Sequence, residues 1–426
     1  MSMPRITIAG LWHLGSVTAA CSARHFQVSA FDADESVVGK LRQSEAPVFE
    51  PGLDELIRAG LAKGSLKFTT DAYTACADSG VVWICYDTPV NDDDVPDAES
   101  VLAHIRRLVP QAKGDVLFLI SSQMPAGTCR KLEAEFPVRR FAYSPENLRL
   151  GGALKAFNEP ERIVAGCRTE KDRALLTELF RPFCANVIWM SPESAEMTKH
   201  ALNSFLALSV TFANEIARLC ELTGADAKEV EAGVKSDARV GKRAYLGPGA
   251  AFAGGTLARD VVALTQLASN RYEPIALIPA IKQSNDRHKG WALRRLKDEI
   301  GPLRGVAVAV LGLTYKAGTD TLRRSQAVEL CDRLLTEGCE VRTFDPVAKQ
   351  LPASVARATM SPDPRSALAG ADAAVICTEW PEFKSLPWAE LIATMRHPLI
   401  FDANRFIKSS LPEMAALRYF SVGMTT

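Results

Sequence analysis

The stretch from Ser191 to Gly224 has the marks of one unusually long helix, and the rest of the chain must be arranged on either side of it. Ser191 suits the N-cap, Pro192 the first helical position, and Glu193 the positive end of the dipole. Met197, Ala201, Phe205, Leu208, Phe212, Ile216 and Leu219 recur at spacings of three and four, which makes one apolar stripe, and Gly224 supplies the stop. Lys199, Asn203 and Asn214 project from the other side. The simplest account of that side is a solvated polar face.

With 426 residues the chain exceeds one simple core, so two or three domains are expected. Lys+Arg and Asp+Glu both number 50, and that balance suggests neither nucleic acid nor an anionic membrane as a partner. No apolar run approaches the ~20 residues needed to cross a bilayer. A strand begins almost at once, leaving no room for a signal peptide, so a cytoplasmic protein is expected. The ten cysteines form no C-x-x-C pair and the six histidines are dispersed, so reduced thiols and no metal site are expected.

Arg5 to Ala9 is a short β-type run followed by Gly10-Leu11-Trp12-His13-Leu14-Gly15 and a small-residue helix. A second strand, Gln27 to Phe31, ends on Asp32, 22 positions after Gly10 (32 − 10). This is the layout of a dinucleotide-binding βαβ unit: Gly10 for the tight turn, Gly15 for helix–strand packing, Asp32 for a ribose diol. The acidic residue favours NAD over NADP. The middle glycine of the fingerprint is replaced by Trp12, so a phosphate loop closed by an indole stands level with a working one.

Further strand–loop units follow at Val81–Tyr86 into Thr88-Pro89, Val116–Ile120 into Ser121–Thr128, Arg140–Ser144 into Pro145-Glu146, and Arg162–Ala165. The C-terminal half repeats the pattern: Val306–Leu311 into Gly312–Lys316, a helix over about Ser325–Glu337, Glu340–Phe344 into Asp345, Ala373–Cys377, and Leu399–Phe401. The expected fold is α/β, with two Rossmann-like parallel-sheet domains (1–190 and 301–426) joined by the long helix and a helical dimerisation region (191–300).

With these motifs in order, the chain resembles the UDP-glucose/GDP-mannose dehydrogenases along essentially its whole length. The resemblance is carried by Phe49-Glu50-Pro51-Gly52-Leu53, Thr88-Pro89, Pro145-Glu146, Glu161-Arg162-Ile163-Val164, Lys199…Asn203 and Asn214-Glu215. It continues through Asp237-x-Arg239-x-Gly241, Pro248-Gly249…Gly254-Gly255…Asp260, Gly312–Lys316, and Thr378-Glu379-Trp380-x-Glu382-Phe383. It implies NAD in the N-terminal domain, a UDP-sugar in the C-terminal domain, a homodimer through the central helices, and oxidation of a sugar C6 alcohol in two hydride transfers.

By motif position, the resemblance places Gly10, Trp12, Leu14, Gly15, Asp32, Thr88, Pro89 and Gln123 at the cofactor. Lys199, Asn203, Asp260, Glu146 and Thr256 fall at the catalytic positions. Leu148, Arg149, Arg239, Tyr245, Phe252, Gly255, Lys316 and Arg323 join Glu146, Lys199 and Asn203 around the substrate. The departures are pointed. Thr256 stands where the family has its nucleophilic cysteine, Gln123 where it has threonine, Arg259 where it has lysine, and Asn404-Arg405 inverts an Arg-Asn order. An unactivated hydroxyl stays protonated at neutral pH, so the four-electron reaction is expected to be lost or severely slowed. Three readings follow: a one-step alcohol/aldehyde oxidoreductase, a two-step enzyme with direct water addition, and a non-catalytic nucleotide-sugar binder or assembly partner.

Overall fold

The computed structural model describes residues 5–91, 94–253 and 255–424. It forms two compact units, Met1–Ala201 and Leu202–Thr426, and the division falls within the long helix, Pro192–Thr223.

The first unit is built on an eight-stranded sheet of β1 (Arg5–Ala9), β2 (Gln27–Phe31), β3 (Leu66–Thr69), β4 (Val81–Ile84), β5 (Leu117–Ile120), β6 (Arg140–Tyr143), β7 (Ile163–Gly166) and β8 (Val187–Met190). Their order is β3-β2-β1-β4-β5-β6-β7-β8, parallel except where β7 meets β6 through Tyr143 and Gly166. The runs Val81–Ile84 and Leu117–Ile120 are buried at every position, as expected of central strands covered by helices on both faces. Chain order reverses between β1 and β4, which is the switch point where such sheets bind ligands.

The second unit carries a six-stranded sheet of β9 (Ala307–Leu311), β10 (Glu340–Phe344), β11 (Thr359–Met360), β12 (Ala373–Ile376), β13 (Leu399–Asp402) and β14 (Arg418–Phe420). Its order, β11-β10-β9-β12-β13-β14, repeats the winding of the first with a switch point between β9 and β12. The repetition extends to the turns. Gly10 (φ +89°) donates to Phe31 O at 3.0 Å, and Gly312 (φ +85°) donates to Phe344 O at 2.8 Å. A Cβ on Gly10 would lie 2.6 Å from the Tyr86 ring, and one on Gly312 would lie 2.7 Å from Thr378.

Gly15 is under a tighter constraint, because a Cβ there would sit 1.6 Å from Gly10 O. The obstacle is backbone, so relief requires moving the helix off the turn. Gly15→Ala is expected to cost about 3 kcal/mol or more, by analogy with severe overpacking. Chemical denaturation checks this, and a loss below about 1 kcal/mol contradicts the packing.

The long helix departs from the simplest account of its faces, a solvated polar side. Its polar side is covered: Lys199, Asn203 and Asn214 are all buried. Its apolar stripe is open within this chain, with Phe205 64%, Phe212 50% and Leu219 58% exposed. The reason is bonding. The polar side chains reach the backbone of neighbouring loops and are satisfied there, so burying them leaves few unpaired groups.

Candidate functional site

Asp32 follows β2 and turns its carboxylate onto the glycine turn. Oδ2 accepts the Leu11 N–H at 2.8 Å and Oδ1 accepts the Asp34 N–H at 3.1 Å. An ionised carboxylate offers about four acceptor positions, so capacity for a ribose diol remains. Asp345 occupies the same place in the second sheet but is saturated. It takes the N–H groups of Leu313, Thr314, Val347 and Ala348 and the Trp380 indole N–H. Burial alone would raise its pKa, but those backbone donors outweigh burial and hold the carboxyl below its ordinary value. Of the two equivalent aspartates, the one with room for a ribose lies in the first sheet.

Trp12 is the N-cap residue of helix His13–Ser22, with extended backbone (φ −74°, ψ −150°) that a non-glycine residue adopts without strain. Its side chain is 50% exposed. The Leu14 side chain is instead buried in the core, so it serves packing. His13 Nε2 lies 3.1 Å from Glu50, whose carboxylate also accepts the N–H groups of Gly151 and Ala153. The glutamate of the Phe49–Leu53 motif therefore fastens the loop after β6 to the glycine turn. A pyrophosphate approaches such a turn most closely over a glycine. Trp12→Gly is expected to tighten NAD binding about tenfold, or roughly 1.4 kcal/mol. Calorimetry checks it, and weaker binding would mean that the indole supports the dinucleotide.

The loops after β4, β5 and β6 are joined to one another and to the long helix. The Thr88 hydroxyl donates to Gln123 O at 2.7 Å, both residues being buried, while Pro89 beside them is exposed. Lys199, also buried, donates from Nζ to Glu146 O at 2.5 Å and to Asn147 Oδ1 at 3.3 Å, with Glu146 Oε1 at 3.5 Å. Glu146 Oε2 accepts the Leu148 N–H at 2.7 Å. Leu148 packs against the core and Arg149 is exposed.

In the second unit, Asn203 donates its amide N–H to the fully buried Asp260. The segment Gly249–Phe252 is held through its backbone by five side chains. Asn214 accepts from Gly249 N–H (2.9 Å), Asn404 from Ala250 N–H (2.6 Å), and Asn285 from Phe252 N–H (2.9 Å). His288 Nε2–H donates to Gly249 O and Gln326 to Ala251 O. Burial lowers the His288 pKa to about 4, so the ring is neutral at physiological pH. The Phe252 side chain is buried. Gly255 is the N-cap of helix Thr256–Asn270, and Thr256, its first residue, is exposed. Gly254 lies outside the described residues.

The held segment borders a cavity of about 410 Å³ at the switch point of the second sheet, lined also by Thr314, Tyr315, Lys316, Thr378 and Glu379. Arg323 and Tyr245 are exposed, and Arg239 is exposed and paired with Asp237 at 2.8 Å. Sequence reasoning misses Asn285 and His288. Their only signal is that two polar residues share the side of helix Leu277–His288 that carries Ile281, which is also buried. Asn404, part of the inverted Asn404-Arg405 pair, makes one of these bonds, and Gln326 makes another.

Burial pushes several thiols up: Cys21 and Cys331 to about 12, Cys76 and Cys339 to about 11. Buried thiols of this kind are poor nucleophiles.

A first doubly wound sheet with a ribose-ready aspartate, and a second with a cavity at its switch point, define a two-sheet protein of the dinucleotide-dependent oxidoreductase class. The chain belongs to the UDP-glucose/GDP-mannose dehydrogenase family. Residues 4–184 match its NAD binding domain, 193–287 its central domain, and 309–409 its UDP binding domain. The chain is 34% identical to a UDP-glucose 6-dehydrogenase of Rhizobium meliloti (strain 1021), over 98% of this chain and 99% of that one. It is 32% identical to the UDP-glucose 6-dehydrogenase YwqF of Bacillus subtilis (strain 168), over 98% and 97%. Among solved structures, a UDP-glucose dehydrogenase from the archaeon Pyrobaculum islandicum superposes with a TM-score of 0.86 at 30% identity, covering 98% of both chains. No helix among the described residues is long and apolar enough to cross a membrane.

Proposed function

We propose that this protein is an NAD-dependent dehydrogenase of a UDP-sugar of the UDP-glucose type that performs a single hydride transfer between a sugar alcohol and its aldehyde. The observation that carries this reading is Thr256. The position to which the resemblance assigns the family's thiol is the exposed first residue of a helix, and it holds a β-branched alcohol. Alcohol oxidation needs no covalent nucleophile; a thiol assists only the step beyond the aldehyde.

Asp32, Gly10 and Gly15 fit an NAD ribose and pyrophosphate, with Thr88, Pro89 and Gln123 at the neighbouring strand ends. When bound, NAD supplies the hydride acceptor. Lys199 and Asn203, four residues apart on one helix face, hold the sugar oxygen as it loses its proton. Asp260 fixes the Asn203 amide, and Glu146 sets the Lys199 ammonium. Lys316, Arg323, Tyr245, Phe252 and Gly255 serve the nucleotide sugar, with Leu148 and Arg149 at the loop after β6 and Arg239 reaching it from a second subunit. The central segment, 191–300, forms a dimerisation region whose open stripe of Phe205, Phe212 and Leu219 is covered by that copy. Sedimentation as a monomer at micromolar concentration removes the dimer. The buried reduced thiols fit a cytoplasmic setting.

A second reading is favoured by Trp12 alone: a nucleotide-sugar binder without redox chemistry. Calorimetry separates the two. Heat with both UDP-glucose and NAD supports the oxidoreductase; heat with the sugar nucleotide and none with NAD leaves only the binder.

A further inference from the structure

Within the first unit, one turn of the long helix does more than present Lys199. Glu196, three residues earlier, is a carboxylate with no exposure at all. Its two oxygens accept the N–H of Gly127 at 2.5 Å and that of Cys129 at 2.8 Å. Those groups open helix Thr128–Glu135, whose N-cap residue is Gly127 (φ +96°) and brings no side chain to cap with. The cap therefore comes from 67 and 69 residues away in sequence. It places negative charge at the positive end of the helix.

His200, one turn after Glu196, grips the same loop. It is buried, and its Nε2–H donates to the carbonyl of buried Met124 at 3.0 Å. The preceding carbonyl, Gln123 O, takes the Thr88 hydroxyl. The loop between β5 and helix Thr128–Glu135 is thus fastened at Gln123, Met124 and Gly127. Two of those three fastenings come from the turn that carries Lys199, and Lys199 itself holds the next loop through Glu146 O.

We propose that Glu196 is a positioning residue for the dinucleotide site, setting the loop Ser121–Gly127 at the carboxyl end of β5 in register with Lys199. This rests on the reading that NAD binds at the first sheet. Two N–H groups demand two acceptors. A carboxylate supplies both, whereas glutamine supplies one and turns an NH₂ donor toward the other. Burial raises the Glu196 pKa, while the two backbone N–H groups it accepts lower it, so these bonds work against the desolvation of the carboxyl.

The test is Glu196→Gln, read by NAD and UDP affinity and by hydrogen exchange of the peptide spanning 121–135. The expected result is an NAD dissociation constant raised about tenfold, faster exchange confined to that peptide, and unchanged UDP affinity in the second unit. Faster exchange with unchanged NAD affinity makes Glu196 a helix cap and nothing more, which overturns the proposal. Equal losses for NAD and UDP indicate general destabilisation and also overturn it. If the unmodified protein binds no NAD, the underlying reading fails, whereas NAD binding that is indifferent to Glu196→Gln sinks only this inference. Should that variant not fold, His200→Ala releases Met124 O from the same loop. It is read by the same affinities and the same exchange, and each outcome carries the same meaning.

Discussion

Replacing Lys199 with methionine is expected to lower kcat by about 10²–10³-fold while leaving NAD affinity within roughly threefold, the scale of losing one preorganised donor to a developing oxyanion. Lys199 is buried, and an ammonium has three donors. Glu146 O and Asn147 Oδ1 take two, Glu146 Oε1 lies 3.5 Å away, and the proposed function turns a donor to the sugar oxygen. Methionine keeps much of the side-chain length and apolar contact but offers no proton. Glu146 O and Asn147 Oδ1 then lose a partner, so a modest fall in stability accompanies the kinetic loss. A kcat within about threefold of the unmodified enzyme would place the chemistry elsewhere.

The second large effect is a gain. Thr256→Cys puts a thiol on the first residue of a fifteen-residue helix, where the N-terminal dipole lowers thiol pKa and no side chain competes as cap. An exposed thiolate there differs from the buried native thiols, which burial raises to about 11 at Cys76 and Cys339 and about 12 at Cys21 and Cys331. It adds to the aldehyde carbon. With a second NAD as hydride acceptor, the adduct would be oxidised to a thioester, which water cleaves to the acid and the free thiol. The expected outcome is acid product from Thr256→Cys under conditions where the unmodified protein releases aldehyde. Mass spectrometry of the products checks it, and an unchanged product profile would discredit the placement of Thr256.

Much of the architecture is legible in the sequence because central parallel strands announce themselves. Val81–Ile84 and Ala307–Leu311 are apolar on both faces, and Gly10 and Gly312 mark the turns that follow the first strand of each sheet. Short edge strands are not legible. Val187–Met190 and Arg418–Phe420 are partly exposed and carry no periodic contrast with their flanks. The long helix shows a sharper limit. Periodicity tells which residues share a face, yet it does not tell which face the protein covers. Asn214 is buried because it bonds the backbone of Gly249, a residue 35 positions away. The same limit hides Asn285 and Glu196, whose partners are backbone N–H groups brought near only by folding. Trp12 is legible as an anomaly, but its half-exposed setting emerges only from the fold.

Whether this protein moves one hydride per sugar is decided most directly by counting NADH formed per UDP-glucose-type sugar consumed by the unmodified protein, with hydroxylamine present to trap aldehyde. One NADH per sugar and a trapped oxime are expected. Two NADH per sugar with a free carboxylate product would contradict the single-step reading, because oxidation past the aldehyde would then proceed without a thiol at position 256.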